Sequence, residues 1–144
     1  MTVRRFNAFA WENVPVLSYK EGGPYKDVTR QILFEGEASL PVQWRYFEVA
    51  PGGHSTLERH AHIHYVLILR GRGACLVDDI ITDIAEHDLV EIQSMQWHQF
   101  RAAADAPLGF LCVVAADRDR PQLPNADDLA ALRQDAKIAA FIRI

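Results

Sequence analysis

Four of the six histidines in this chain, His54, His60, His62 and His64, fall within eleven residues. The densest part reads Glu58-Arg59-His60-Ala61-His62-Ile63-His64. Its glutamate and its three histidines all occupy even positions. One continuous strand through them would turn all four side chains to the same face. Such groups are costly on a core face unless something binds them. Imidazole nitrogen together with carboxylate oxygen suits a divalent first-row metal. The alternative is an exposed histidine-rich turn. A further histidine, His98, stands beside Trp97 and Phe100 in an apolar surrounding. It is the type of residue a fold brings across to complete a site.

The elements that must position these groups read as short strands. Arg30 to Phe34 is an apolar run ended by Glu35-Gly36, and Val42 to Val49 is rich in aromatic and β-branched residues. Pro51-Gly52-Gly53 is expected to break that second strand. His64 to Leu69 follows, with Arg70-Gly71-Arg72-Gly73 as its expected stop. Ala74 to Val77, Ile80 to Ile84, Leu89 to Ile92, Trp97 to Phe100 and Leu108 to Val114 complete the series. Eight or nine strands at this turn-punctuated spacing predict an all-β sandwich or small barrel. Residues before Gly23 read as irregular. After Val114 the character changes: Arg118 to Pro124 is a linker, and Asn125 caps a helix with Asp127 and Asp128 in its first turn. Leu129, Leu132, Ala136, Ala139 and Ala140 recur at helical spacing. One domain over 1–144 is expected, with a barrel core at about 27–116 and a tail with a short helix at about 117–144.

Composition narrows the classes. The 144 residues are 49% hydrophobic and 24% charged, an ordinary globular balance. A net charge of −4 gives no global basic footprint, so no nucleic-acid partner is expected. No apolar run approaches a membrane span, and the first residues do not read as a secretory signal. Two cysteines, Cys75 and Cys112, build no disulfide scaffold and are expected as reduced thiols in a cytoplasm. Val42 to Val49 offers apolar side chains to both faces, more than a small barrel needs, and predicts a homodimer unless the chain's own termini cover the outer face.

The stretch PGGHSTLERHAHIHYVLILRGRG resembles the first motif of the cupin superfamily, G-x5-H-x-H-x3,4-E-x6-G. Aligning Gly52-Gly53 and Gly71 places the motif's first histidine on Glu58, its second on His60 and its glutamate on His64. The second motif, G-x5-P-x-G-x2-H-x3-N, overlays His87 to His98 and puts its histidine on His98. Its glycines, proline and asparagine are absent. The resemblance covers roughly 42–114 and implies a jelly-roll β-barrel of the cupin type. It implies a metal held by Glu58, His60, His64 and His98, with glutamate and histidine exchanged relative to the usual order. It also implies a turn that takes His62 to the rim.

The expected cofactor is one divalent transition metal ion per chain, from Fe, Mn, Ni or Zn. Glu58 is a ligand or, swung off the metal, a general base. The function these residues imply is a metal-dependent enzyme acting on a small organic molecule. An oxygenase is favoured over an isomerase or decarboxylase. The alternative is a non-catalytic, metal-dependent small-ligand binder or sensor. Cys112, on the last strand, reads either as a cavity-facing residue or as a small buried hydrophobe, the usual role of such a cysteine.

Overall fold

The computed structural model describes residues 3–144. Its strands are β1 (Phe6–Asn7), β2 (Ala10–Trp11), β3 (Leu17–Ser18), β4 (Lys26–Phe34), β5 (Val42–His54), β6 (His64–Val77), β7 (Ile80–Ala85), β8 (Leu89–Ile92), β9 (His98–Ala102) and β10 (Leu108–Ala115). Two short helices follow, α1 (Ala126–Leu132) and α2 (Ala136–Phe141). Hydrogen-bonded neighbours run β10-β6-β9-β5-β4-β3, and β10 also pairs with β5, which closes the sheet into a barrel. All these pairings are antiparallel. Alternation along the strands sends Val28, Phe47, Val49, Val66, Ile68, Phe100, Phe110 and Val114 into one core.

Two expected stops are not stops. β5 continues through Pro51-Gly52-Gly53 to His54, and β6 continues through Arg70-Gly71-Arg72-Gly73 to Val77. The glycines of β6 are bends inside one long strand, and packing explains them. Gly71 has a positive φ of 69°, and a Cβ there would lie 1.9 Å from the Pro107 carbonyl oxygen. A Cβ on Gly73 would lie 2.0 Å from the Arg101 carbonyl oxygen. The bend lets the first half of β6 pair with β8 and the second half with β7 and β9.

The helical tail also departs from expectation, with two helices in place of one. Asn125 and Asp128 form a capping box on α1. A second cap, Asp135, accepts from the Lys137 and Ile138 amides and starts a new helix. Ile138, Phe141 and Ile142 then pack with Leu57, Leu76 and Trp97 under the barrel wall. The Gln99 side chain fastens the end of the chain, donating to the carbonyls of Ser55 and Arg143 and accepting from the Arg143 amide.

The N-terminal segment is not irregular throughout. β1 and β2 form a small hairpin whose Phe9 and Trp11 rings pack on Tyr46. Part of the outer face of β5 is thus covered from within the chain. Phe34 and Trp44, 5.9 Å apart, remain 59% and 37% exposed. Among the described residues no helix is long and apolar enough to cross a membrane.

The bend in β6 generates a stability prediction. Gly71→Ala adds a methyl group against backbone at a positive φ, and should destabilise the protein by roughly 2–3 kcal/mol. Urea unfolding of the two proteins measures it; a difference near zero would mean that β6 and the Pro107 loop separate freely.

Candidate metal centre

Glu58 to His64 is not one strand. Glu58 makes an isolated bridge with His98, Arg59 bridges to Gln122, and the chain bends at 61–62 before β6 begins at His64. Period two therefore does not apply across the stretch, and His60 and His64 reach the interior by different routes. His64 is the first residue of β6 and shares its inward face with Val66 and Ile68. His98 opens β9, opposite Val77.

His60, His64 and His98 are buried and offer ligand atoms that all lie within 4.8 Å of one another. Their outer nitrogens are occupied. His60 Nδ1 is 2.7 Å from the His62 carbonyl oxygen, and His98 Nδ1 is 2.9 Å from the Gln96 carbonyl oxygen. A carbonyl only accepts, so each Nδ1 carries its proton and each Nε2 presents a lone pair. His64 Nδ1 lies 3.1 Å from Cys112 Sγ, and its Nε2 is 2.9 Å from His60 Nε2. His98 Nε2 is buried without any partner. Three inward Nε2 atoms, two of them fixed by a hydrogen bond at the other ring nitrogen, are what a transition metal requires. The orphaned Nε2 of His98 is the observation that tests the fit, and the residues fit.

The four expected ligands do not all arrive in the same way. Glu58 is buried and lines the same cavity, but its carboxylate is paired with the Lys20 ammonium and stands outside the histidine group. His62 lies on the rim: it stacks on His60 at 3.6 Å and 4°, and its Nδ1 is 2.8 Å from Asp119 Oδ1. Asp119 also accepts from the amides of Ala61 and His62. Those bonds, the Ala61 amide first, pull its carboxyl below the usual range.

Around these groups is a cavity of about 210 Å³, walled by Phe47, Phe100 and Phe110 with Cys112. Sequence reasoning missed part of its lining. Lys20 belonged to the supposedly irregular N-terminal segment, and Arg118 and Pro121 to the supposed linker. Arg30 and Arg45 carried a usable signal: each is a charge on the strand face that otherwise points to the core.

Burial keeps the imidazoles neutral. The pKa of His60 is lowered to about 4, by burial first and then by His98 and His62. Those of His64 and His98 are also lowered, again by burial first. The unfolded chain therefore binds more protons than the folded one below the ordinary value of 6.5. Stability is full above that value and is lost as pH falls toward about 4. Thermal melting of chelator-treated protein should show the midpoint dropping across this window; a flat profile would mean that these rings are not buried neutral.

Comparison with known proteins adds to this geometry. The family model described as "Cupin domain" matches residues 45–114. A Rhodospirillum rubrum protein named 1-methylthio-D-xylulose 5-phosphate methylsulfurylase is 55% identical over 136 residues, which cover 93% of this chain and 86% of that one. A crystal structure of a cupin 2 conserved barrel domain protein from Rhodopseudomonas palustris has a TM-score of 0.94 at 56% identity, covering 99% of this chain and all of its own. A cupin-2 domain structure from Rhodospirillum rubrum has a TM-score of 0.88 at 52% identity, covering 97% and 95%.

Proposed function

The chain belongs to the cupin family, and from that premise we propose that it is a metal-dependent enzyme that transfers the methylthio group of a small ketose phosphate to a thiol acceptor: the C1–S bond breaks as an S–S bond forms with the acceptor sulfur, the electron pair passes into the enolate of the C2 carbonyl, and the acceptor's proton ends on C1. The observation that carries the metal is the convergence of three buried imidazoles with His98 Nε2 left unpartnered. The substrate class rests on the name and high identity of the Rhodospirillum rubrum relative. This reading takes the place of oxygen chemistry as the leading expectation, because that name describes an action on a methylthio sugar phosphate.

The relative's substrate name puts a thioether on C1, beside the C2 carbonyl of a five-carbon ketose. A divalent metal held by His60, His64 and His98 would supply Lewis-acid polarisation of a carbonyl oxygen. The rest falls to the chain. Phe47, Phe100 and Phe110, with rings 4.5 to 5.4 Å apart along the series, form an apolar wall of the kind a thioether packs on. Glu58, oriented by Lys20, is the carboxylate placed to move a proton at the carbon beside the carbonyl. The exposed Phe34–Trp44 pair is the surface we assign to a homodimer.

Metal-loaded protein should consume 1-methylthio-D-xylulose 5-phosphate, assayed with and without an added low-molecular-weight thiol as acceptor. Tight metal binding should be lost in His60→Ala and in His98→Ala and kept in His62→Ala. Glu58→Gln should keep the metal and lose turnover by about 100-fold or more. Loss of metal in Glu58→Gln would make Glu58 a fourth ligand instead. No consumption by loaded protein in either condition would overturn the enzymatic reading. Light scattering should give twice the 16.3 kDa chain mass; the monomer mass at micromolar concentration would refute the dimer.

A further inference from the structure

The cavity that holds the imidazoles also holds three arginines, Arg30, Arg45 and Arg118. Arg30 shares the inward face of β4 with Val28, and Arg45 shares that of β5 with Phe47 and Val49. The register sets Phe47 opposite Arg30 and Ile32 opposite Arg45, so the two arginines are diagonal neighbours. Arg118, just past β10, is anchored by the Ala115 and Ala116 carbonyls and by Gln43 Oε1 at 2.9 Å. Gln43 in turn donates to Glu35, the acid that faces Arg118 from that side.

Among the described residues none of the three is ion-paired with a carboxylate, whereas Lys20, Arg59, Arg70 and Arg72 all are. The Nε atoms of Arg30 and Arg45 are buried with no hydrogen-bond partner. Burial and then the charges of Arg45 and Arg30 lower the pKa of Arg118, which marks the three as mutually repelling neighbours. Like charges gathered in a half-buried cavity with open donors are stabilised by an anion. Guanidinium forks match phosphate oxygens two at a time. Arg45 also donates to Cys112 Sγ at 3.3 Å, and Cys112 touches His64. One side chain therefore separates this cationic group from the histidine group.

We propose that Arg30, Arg45 and Arg118 form a phosphate-monoester subsite that anchors a phosphorylated sugar with its carbonyl end toward His60, His64 and His98. The identity of the sugar rests on the function proposed above; the anion site rests on the arginines alone.

Calorimetric titration tests it with three probes: D-xylulose 5-phosphate, unphosphorylated D-xylulose and inorganic phosphate. The sugar phosphate should bind at least about tenfold more tightly than D-xylulose. Arg30→Met, Arg45→Met and Arg118→Met should each weaken it by about tenfold or more, and leave D-xylulose unchanged. Arg70→Met, which removes a partner of Glu48 outside the cavity, should change neither. Arg45→Lys, which keeps the charge without the fork, should weaken binding less than Arg45→Met and guards against a folding defect. Inorganic phosphate should still bind His60→Ala protein that has lost its metal. Equal binding of the phosphorylated and unphosphorylated sugars, or parallel loss of both in the arginine variants, would overturn the subsite. Phosphate binding without consumption of the methylthio substrate would remove the proposed function and leave the subsite standing; consumption unaffected by the arginine variants would do the reverse.

Discussion

Three neutral imidazoles held inside a closed barrel are the constraint on which the rest of this structure depends. Each ring gives its Nδ1 to a partner elsewhere in the protein and turns its Nε2 toward the other two rings. For His60 and His98 the satisfied nitrogen meets a backbone carbonyl two residues away, so the ring orientation is built locally. For His64 it meets a side chain from another strand, the thiol of Cys112. Of the three Nε2 atoms, those of His60 and His64 lie 2.9 Å apart, and that of His98 is buried without any partner. An interior normally avoids that cost, and here the fold carries it on purpose, with Leu, Val and Phe side chains filling the remainder.

That constraint explains which strands must be long. His64 stands at the start of β6 and His98 at the start of β9, and the two strands pair along 73–77 and 98–102. Bringing His64 close to His98 requires β6 to bend back over itself between one set of partners and the next. Gly71 and Gly73 make the bend where any side chain would collide with the backbone of the neighbouring loop and strand. The strand looks interrupted in sequence because its bend uses the residues that usually end strands.

Sequence legibility follows the same line. Strand positions and the barrel class could be read because alternating apolar residues leave a period-two trace. His60, His64 and His98 were legible through their spacing against the two cupin motifs, because Glu58 to His64 is not one strand and leaves no period-two trace. The paired state of Glu58 was not, since its partner Lys20 lies far away in sequence, in a segment with no periodicity. Arg118 and Asp119 were unreadable for a related reason: they act through contacts with Gln43, Ala61 and His62, which only the closed topology creates. The break between α1 and α2 turns on a single cap, Asp135, inside a run whose helical spacing continues across it.

The bend in β6 has a kinetic side. This strand is hydrogen-bonded to β7, β8, β9 and β10, more partners than any other strand has among the described residues. Amides held on both sides in this way are expected among the slowest to exchange with solvent. The rim opposite is a different material. At 59–62 it is tied by the Asp119 carboxylate, which accepts from the Ala61 and His62 amides and meets His62 Nδ1, by the Arg59–Gln122 bridge, and by the Met95 amide on the His60 carbonyl. His60 is thus oriented through the rim, by the His62 carbonyl and the stacked His62 ring, whereas His64 is oriented from inside the barrel by Cys112, so loosening 61–62 would free one imidazole of the group before the others.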